Sequence, residues 1–289
     1  MDGIFFIDKE TGCTSRDVVN EIIKKVETRK VGHTGTLDPL ATGVLVVCVG
    51  KATKLVNMLT SEYKEYEAEI TLGIKTDTYD ITGNIIEEQI PNVTEKEIEN
   101  VLSKFIGEYN QEVPIYSAVK VNGKKLYEYA RNNEKVILPK RNVEIKDLKL
   151  ISNITIKDNR IVFKIWTRVS KGTYIRALVN DIAHNLKTIG VMSSLRRTKL
   201  GNISVEQCNK IDDITLKSLI PVKEVLKDYP FVYVDNVLKN DILNGKIIDN
   251  IYQNEKIVFL DENDLVLAIY KIYDKDKSKM KPDIMLGGI

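Results

Sequence analysis

One stretch constrains this chain more than any other. Arg29-Lys30-Val31-Gly32-His33-Thr34-Gly35-Thr36-Leu37-Asp38-Pro39-Leu40-Ala41-Thr42-Gly43 runs directly into Val44-Leu45-Val46-Val47-Cys48-Val49-Gly50. Glycines, small threonines and an Asp-Pro step predict an irregular backbone with little side-chain bulk. The unbroken apolar run after it has the length of a buried strand. An aspartate is thus placed on a shaped loop at the entrance to the core, and Pro39 restricts Asp38 to extended geometry, which sets the direction of its carboxylate. Local pattern alone also fits Asp38 as the cap of a turn or of a short helix starting at Pro39.

A chain of 289 residues, 43% hydrophobic and 29% charged, can bury a sizeable core and is expected to form a large and a small domain. Met1 to Lys9 carries no basic leader and only a short apolar run, so it reads as a first strand and not as a signal peptide. Val44 to Val49 is too short to span a bilayer, and a cytoplasmic protein without membrane partners is expected. The 3 cysteines and 2 histidines are scattered, which argues against a zinc framework or a disulfide scaffold. Net charge is +2, but between Lys120 and Arg176 basic residues outnumber acidic ones by about three to one. With Tyr116, Tyr127, Tyr129 and Tyr174 interspersed, that stretch suits either a solvated face or a surface meeting phosphates and bases.

Along the chain, Leu55, Val56 and Leu59 mark a short helix, and Tyr66, Ala68, Ile70 and Leu72 alternate as a half-buried strand on which Tyr66 reads as a core aromatic. Thr76 to Gly83 reads as a polar turn, its carboxylates lacking the spacing of a calcium loop. Thr94-Glu95-Lys96-Glu97 is a capping box for a helix ending before Gly107, and Asn122-Gly123, flanked by lysines, signals a basic hairpin. Strands are expected over Val143 to Leu150, Ile161 to Ile165 and Met192 to Leu200. Ile175, Leu178, Val179, Ile182 and Leu186 set out a helix face. Tyr174 and Arg176 then fall where a strand hands over to a helix, where free N–H groups and the guanidinium would attract an anion unless Arg176 simply faces solvent. After Pro221 and Pro230, short strands at Phe231–Val234, Ile257–Leu260 and Val266–Ile269 predict a small β-rich unit. A phosphate loop at Gly50-Lys51 fails because Leu45 and Ala52 stand where glycine and Ser/Thr are required. No dinucleotide fingerprint, His-Glu-x-x-His helix or Gly-x-Ser-x-Gly elbow is present either.

Taken together, Lys30 to Gly43, Tyr66, Ser117-Ala118-Val119-Lys120 through Gly123 to Arg131, Lys171-Gly172-Thr173-Tyr174-Ile175-Arg176 and Leu195-Arg196-Arg197 closely resemble the bacterial TruB family of tRNA pseudouridine-55 synthases. The resemblance extends from the first strand to about Val225. It implies an α+β fold: a mixed, mainly antiparallel sheet with flanking helices over residues 1–225, an RNA-gripping insertion around 115–140, and a small PUA-like domain over 230–289. It implies an isomerase that flips a T-arm uridine of tRNA out of its stack and rebuilds it as pseudouridine, with no cofactor, no metal, no required protein partner, and a monomeric state. Asp38, Tyr66 and Arg176 then match catalytic positions. Tyr174 and Leu195 match pocket-lining positions, His33 the residue that fills the space left by the flipped nucleotides, and Lys9, Lys124, Lys125 and Arg131 RNA-binding positions. One departure is Glu10, where family members usually carry proline after the lysine of the first strand. An RNA-folding protein on the same scaffold and a guide-RNA-dependent enzyme are the competing readings. The compact N-terminus and the intact Leu40-Ala41-Thr42-Gly43 favour the stand-alone enzyme.

Overall fold

The protein is described by a computed structural model that covers residues 1–60 and 63–288. It begins with β1 (Gly3–Lys9), α1 (Ser15–Val26), β2 (Val31–His33) and β3 (Thr42–Val49), followed by a 3-10 turn (Gly50–Leu55) and α2 (Val56–Leu59). Next come β4 (Tyr63–Leu72), β5 (Ile74–Thr76), β6 (Ile85–Glu88), α3 (Glu95–Lys104) and β7 (Gly107–Glu112). The insertion contributes β8 (Lys120–Val121), β9 (Lys124–Lys125) and α4 (Leu126–Arg131), and β10 (Lys140–Leu150), β11 (Thr155–Lys157), β12 (Arg160–Ser170), α5 (Ile175–Asn185) and β13 (Gly190–Leu200) follow.

Ten strands form one sheet, ordered β1-β3-β13-β4-β12-β10-β7 along its main path, with β2, β11 and a short strand after Leu200 attached to its members. Its pairs are antiparallel except for β3 with β13, which run parallel where Arg196 and Arg197 face Thr42 and Gly43. That contact brings the end of the Asp38 loop against β13. A side chain at Gly43 would collide with the Arg197 backbone, and its φ of +99° is one that few other residues adopt, so glycine is required there.

The unbroken apolar run has a two-sided cause. Leu45, Val47 and Val49 pack against Val18, Val19, Ile22 and Val26 of α1, while Val44, Val46 and Cys48 face a second cluster containing Val258, Leu260, Val266, Ile269 and Leu286. A strand buried on both faces has no polar side to show. On the other half of the sheet, α3 and α5 cover Ala68, Ile70, Leu72, Ile145, Phe163 and Ile165.

Beyond β13, β14 (Ile203–Ser204), α6 (Val222–Val225), β15 (Phe231–Tyr233), α7 (Asn236–Leu243), β16 (Ile248–Asp249), β17 (Lys256–Leu260), β18 (Val266–Tyr273) and β19 (Asp276–Met285) complete the chain. Five of these strands form a separate sheet, ordered β15-β17-β18-β19-β16. The architecture is therefore the expected α+β sheet with a C-terminal β-rich unit. Elements that pattern reading passed over include α1, β7, α7 and β19.

Candidate active site

Between the Asp38 loop, β4, the insertion and the start of α5 lies a cavity of about 420 Å³. Asp38, Tyr66, Tyr174, Arg176 and Leu195 all line it, although they come from four well-separated parts of the chain.

Asp38 stands on a loop fastened from below. The Ser15 hydroxyl accepts from Leu37 N–H at 2.9 Å and donates to the Leu37 carbonyl at 3.1 Å. Lys9 Nζ donates to the carbonyls of Glu10, Pro39 and Ala41 at 2.8, 3.4 and 2.6 Å. Ala41 N–H closes a turn on the Asp38 carbonyl at 3.0 Å. With Leu37 and Ala41 buried on either side, the carboxylate is left 37% exposed and pointing into the cavity.

Arg176 organises the opposite wall. It is the second residue of α5, and helix side chains tilt toward the N-terminus, so its guanidinium reaches back past the start of the helix. Nε donates to Asp38 Oδ2 at 2.8 Å, Nη1 to the Thr78 carbonyl at 2.9 Å and Nη2 to the Tyr116 carbonyl at 3.1 Å. Asp80 Oδ2 lies 3.8 Å from Nη1, and its other oxygen accepts from Thr78 Oγ1, Thr82 N–H and Thr82 Oγ1. The Thr76 to Gly83 turn is thus a brace for Arg176. The side chain is only 6% exposed, so the solvent-facing alternative for it is wrong. A planar fork suits this role because it meets three loops at fixed angles. Asp38 Oδ1 has no hydrogen bond among the described residues, so one oxygen is held and one faces the cavity.

Tyr174 is positioned through its backbone. Gln111 of β7, 1% exposed, accepts from Tyr174 N–H at 2.7 Å and donates to the Tyr174 carbonyl at 3.0 Å, acting as a surrogate peptide that pins the strand-to-helix turn. Tyr66, 7% exposed, and Leu195, also 7% exposed, form the apolar walls on adjacent strands β4 and β13.

A scan against family models matches residues 23–175 to the TruB family pseudouridylate synthase N-terminal domain. The chain is 41% identical over 98% of its length to a protein from Bacillus cytotoxicus named tRNA pseudouridine synthase B, covering 96% of it, and 42% identical over 97% of its length to its namesake from Staphylococcus aureus, covering 98%. The chain belongs to the TruB family. Among solved structures, a chain in the crystal structure of a Cbf5-Nop10-Gar1 complex superposes with a TM-score of 0.67 at 25% identity, covering 98% of this chain and 83% of that one. A chain in an H/ACA RNP bound to a substrate RNA gives 0.66 at 23% identity, covering 99% and 84%.

For this TruB-family chain the structure corrects one assignment. Lys9, expected to meet RNA, is 1% exposed and has its ammonium group committed to backbone carbonyls; it supports the Asp38 loop. His33 lies outside the cavity lining, on β2, with Nδ1 accepting from Gly35 N–H at 3.3 Å. Burial, then the charges of Arg16 and Arg197, push its pKa down and keep the imidazole neutral. In the insertion, Lys124 is paired with Glu134 at 2.6 Å, while Lys125 and Arg131 flank the ring of Tyr127, which itself lines the cavity. Sequence reading missed Ser15, Asp80 and Gln111, whose polar side chains act on backbone or on Arg176. The one local signal was the density of Thr and Asp between Thr76 and Thr82. Among the described residues no cluster of three or more His, Cys, Asp or Glu could hold a metal, and no helix is long and apolar enough to cross a membrane.

Proposed function

We propose that this protein converts the uridine at position 55 in the T arm of tRNA to pseudouridine, with Asp38 as the catalytic carboxylate. The observation that carries this reading is the half-exposed Asp38 side chain, gripped on one oxygen by Arg176 and open to the cavity on the other. In the reaction the N1–C1′ bond breaks, C5–C1′ forms, C5 loses a proton and N1 gains one, so the product is an isomer and no oxidant is consumed. Addition to the base, attack on C1′ and assisted elimination at the sugar all require an ionised carboxylate oxygen facing the nucleotide. Arg176 holds the other oxygen and so fixes the direction in which the free one points.

The cavity lies within the range of about 300–1,000 Å³ usual for small-ligand sites, so it accepts a nucleotide out of its stack. Flipping costs a few kcal/mol, which contacts with Tyr66 and the apolar wall at Leu195 offset. Lys125, Arg131 and Tyr127 of the insertion border the entrance and would engage the T arm, and His33 would fill the space that the uridine vacates. Residues 1–225 form the catalytic unit in this reading and 230–289 a PUA-like module. The enzyme works in the cytoplasm as a monomer without a protein partner.

The test is tritium release from C5-labelled uridine in an unmodified tRNA transcript. Asp38→Asn is expected to lose turnover by orders of magnitude while tRNA binding persists. Turnover near the wild-type rate in that variant removes Asp38 as the catalyst, and no release by the wild type sinks the activity itself.

A further inference from the structure

Beside Gly35 two cations converge, with no acid between them among the described residues. From the point a Cβ on Gly35 would occupy, Lys64 Nζ is 3.4 Å away and Arg197 Nη1 is 3.7 Å away. Neither forms an ion pair among the described residues. Among the described residues Lys64 Nζ forms no hydrogen bond or ion pair. Arg197 is 0% exposed: its Nε and Nη2 donate to the carbonyls of Val44 and Gly35 at 2.7 and 3.1 Å, but its buried Nη1 has no acceptor among the described residues. The neighbouring Thr34 Oγ1 is likewise buried without a partner. Lys64 precedes Tyr66 by two residues on β4, so the two share a face of the strand, and both line the cavity that holds Asp38.

Unpaired buried charge destabilises a fold unless a ligand supplies the counter-charge. We infer that Lys64, backed by Arg197 across the side-chain-free surface of Gly35, is a phosphate subsite that holds one phosphodiester of the RNA strand carrying the target uridine. The inference rests on the cavity being the uridine site proposed above. Asp38 is not the missing partner: among the described residues it forms an ion pair with Arg176 and none with Lys64.

A pH signature follows from the surroundings. Arg197 on β13 faces Lys64, His33 on β2 is neutral, and Asp38 and Arg176 hold one another. Burial first, and the Arg197 charge second, push the Lys64 ammonium down to about 8. Raising the pH from 7 to 9 therefore strips this cation in the free protein, and RNA affinity falls over that window. A bound phosphate opposes the loss by favouring the protonated amine.

The experiment compares tRNA binding and pseudouridine formation by the wild type, Lys64→Gln, Lys64→Arg and Gly35→Ala as salt and pH vary. It adds T-arm stem-loop RNAs in which single phosphates flanking the target are replaced by methylphosphonates. Lys64→Gln is expected to weaken binding about tenfold, as for one charged hydrogen bond. It should also reduce the salt slope by about 0.7–0.9, the contribution of one phosphate. The loss should fall on KM more than on kcat, and the decline in affinity between pH 7 and 9 should flatten. Lys64→Arg should restore most of the affinity, and Gly35→Ala, which fills the space between the cations, should weaken binding while both charges remain. One methylphosphonate should cost the wild type as much as Lys64→Gln does and cost that variant little more. Wild-type affinity and salt slope in Lys64→Gln overturn the proposal, as does a loss confined to kcat, or the absence of any phosphate whose neutralisation the variant masks. If binding responds as expected but the wild type forms no pseudouridine, the subsite stands and the proposed reaction falls.

Discussion

At the scale of single residues, the site depends on Arg176 more than its position near a helix start suggests. Its guanidinium spends all three nitrogens on separate loops, holding Asp38, Thr78 and Tyr116 in one arrangement. A lysine carries the charge but cannot fork. Arg176→Lys is expected to lower the single-turnover rate about 100-fold or more, the scale of losing a preorganised electrostatic contact. It should also destabilise the protein by about 1–3 kcal/mol through carbonyls left short of donors. Stopped single-turnover assays and thermal melts measure the two effects separately, and a wild-type rate would mean that the carboxylate needs no fork. The anion that the Arg176 guanidinium holds in this structure is the protein's own Asp38.

At the scale of elements, placement follows from a few side chains that behave as backbone. Gln111 pairs with both the N–H and the carbonyl of Tyr174, so β7 and the start of α5 are joined as if by one rung of a ladder. Gln111→Leu keeps the volume and removes both bonds. Melting should show a loss of about 1–3 kcal/mol for the unpaired groups, and the catalytic rate should drop further than tRNA affinity because the Tyr174 to Arg176 turn is loosened. Equal falls in both would point to general unfolding instead. Strong alternation and a full capping box made β4, β12 and α3 readable in advance. Helix α1 was overlooked although Thr14 and Asp17 form a capping box, because aspartate replaces the longer Glu or Gln of the usual signature. β19 was overlooked because Lys-rich sequence with Pro282 reads as coil. In the structure the ladder shifts register between the Ile269–Ile284 and Tyr270–Pro282 pairs, and a bulge is a place where a strand tolerates proline.

At the scale of the whole molecule, the C-terminal sheet does more than follow the catalytic sheet in sequence. Val258, Leu260, Val266, Ile269 and Leu286 share one apolar cluster with Ile4, Phe6, Val44, Val46 and Cys48 of β1 and β3. Those strands carry the Asp38 loop between α1 and the small sheet. Deleting residues 230–289 should therefore expose one face of β1 and β3, lower the melting temperature, increase dye binding to apolar surface and reduce the catalytic rate even on short T-arm substrates. A truncated protein that melts like the full chain would show that the cluster contributes little.

The sequence by itself determined most of the elements, the two-sided burial of β3 and the irregular loop that carries Asp38, because periodicity and local turn chemistry are written over a few consecutive residues. It also carried the family resemblance, through motifs whose order along the chain could be read directly. Only the tertiary structure decided which side chains meet. Asp38 and Arg176 are 138 residues apart, and their contact depends on sheet order, on the parallel junction of β3 with β13 and on the backward tilt of a helical side chain. Lys9 turned inward, and Lys64 has no counter-charge among the described residues, for the same reason: alternation reports which face a residue occupies, but the partner across that face belongs to another part of the chain.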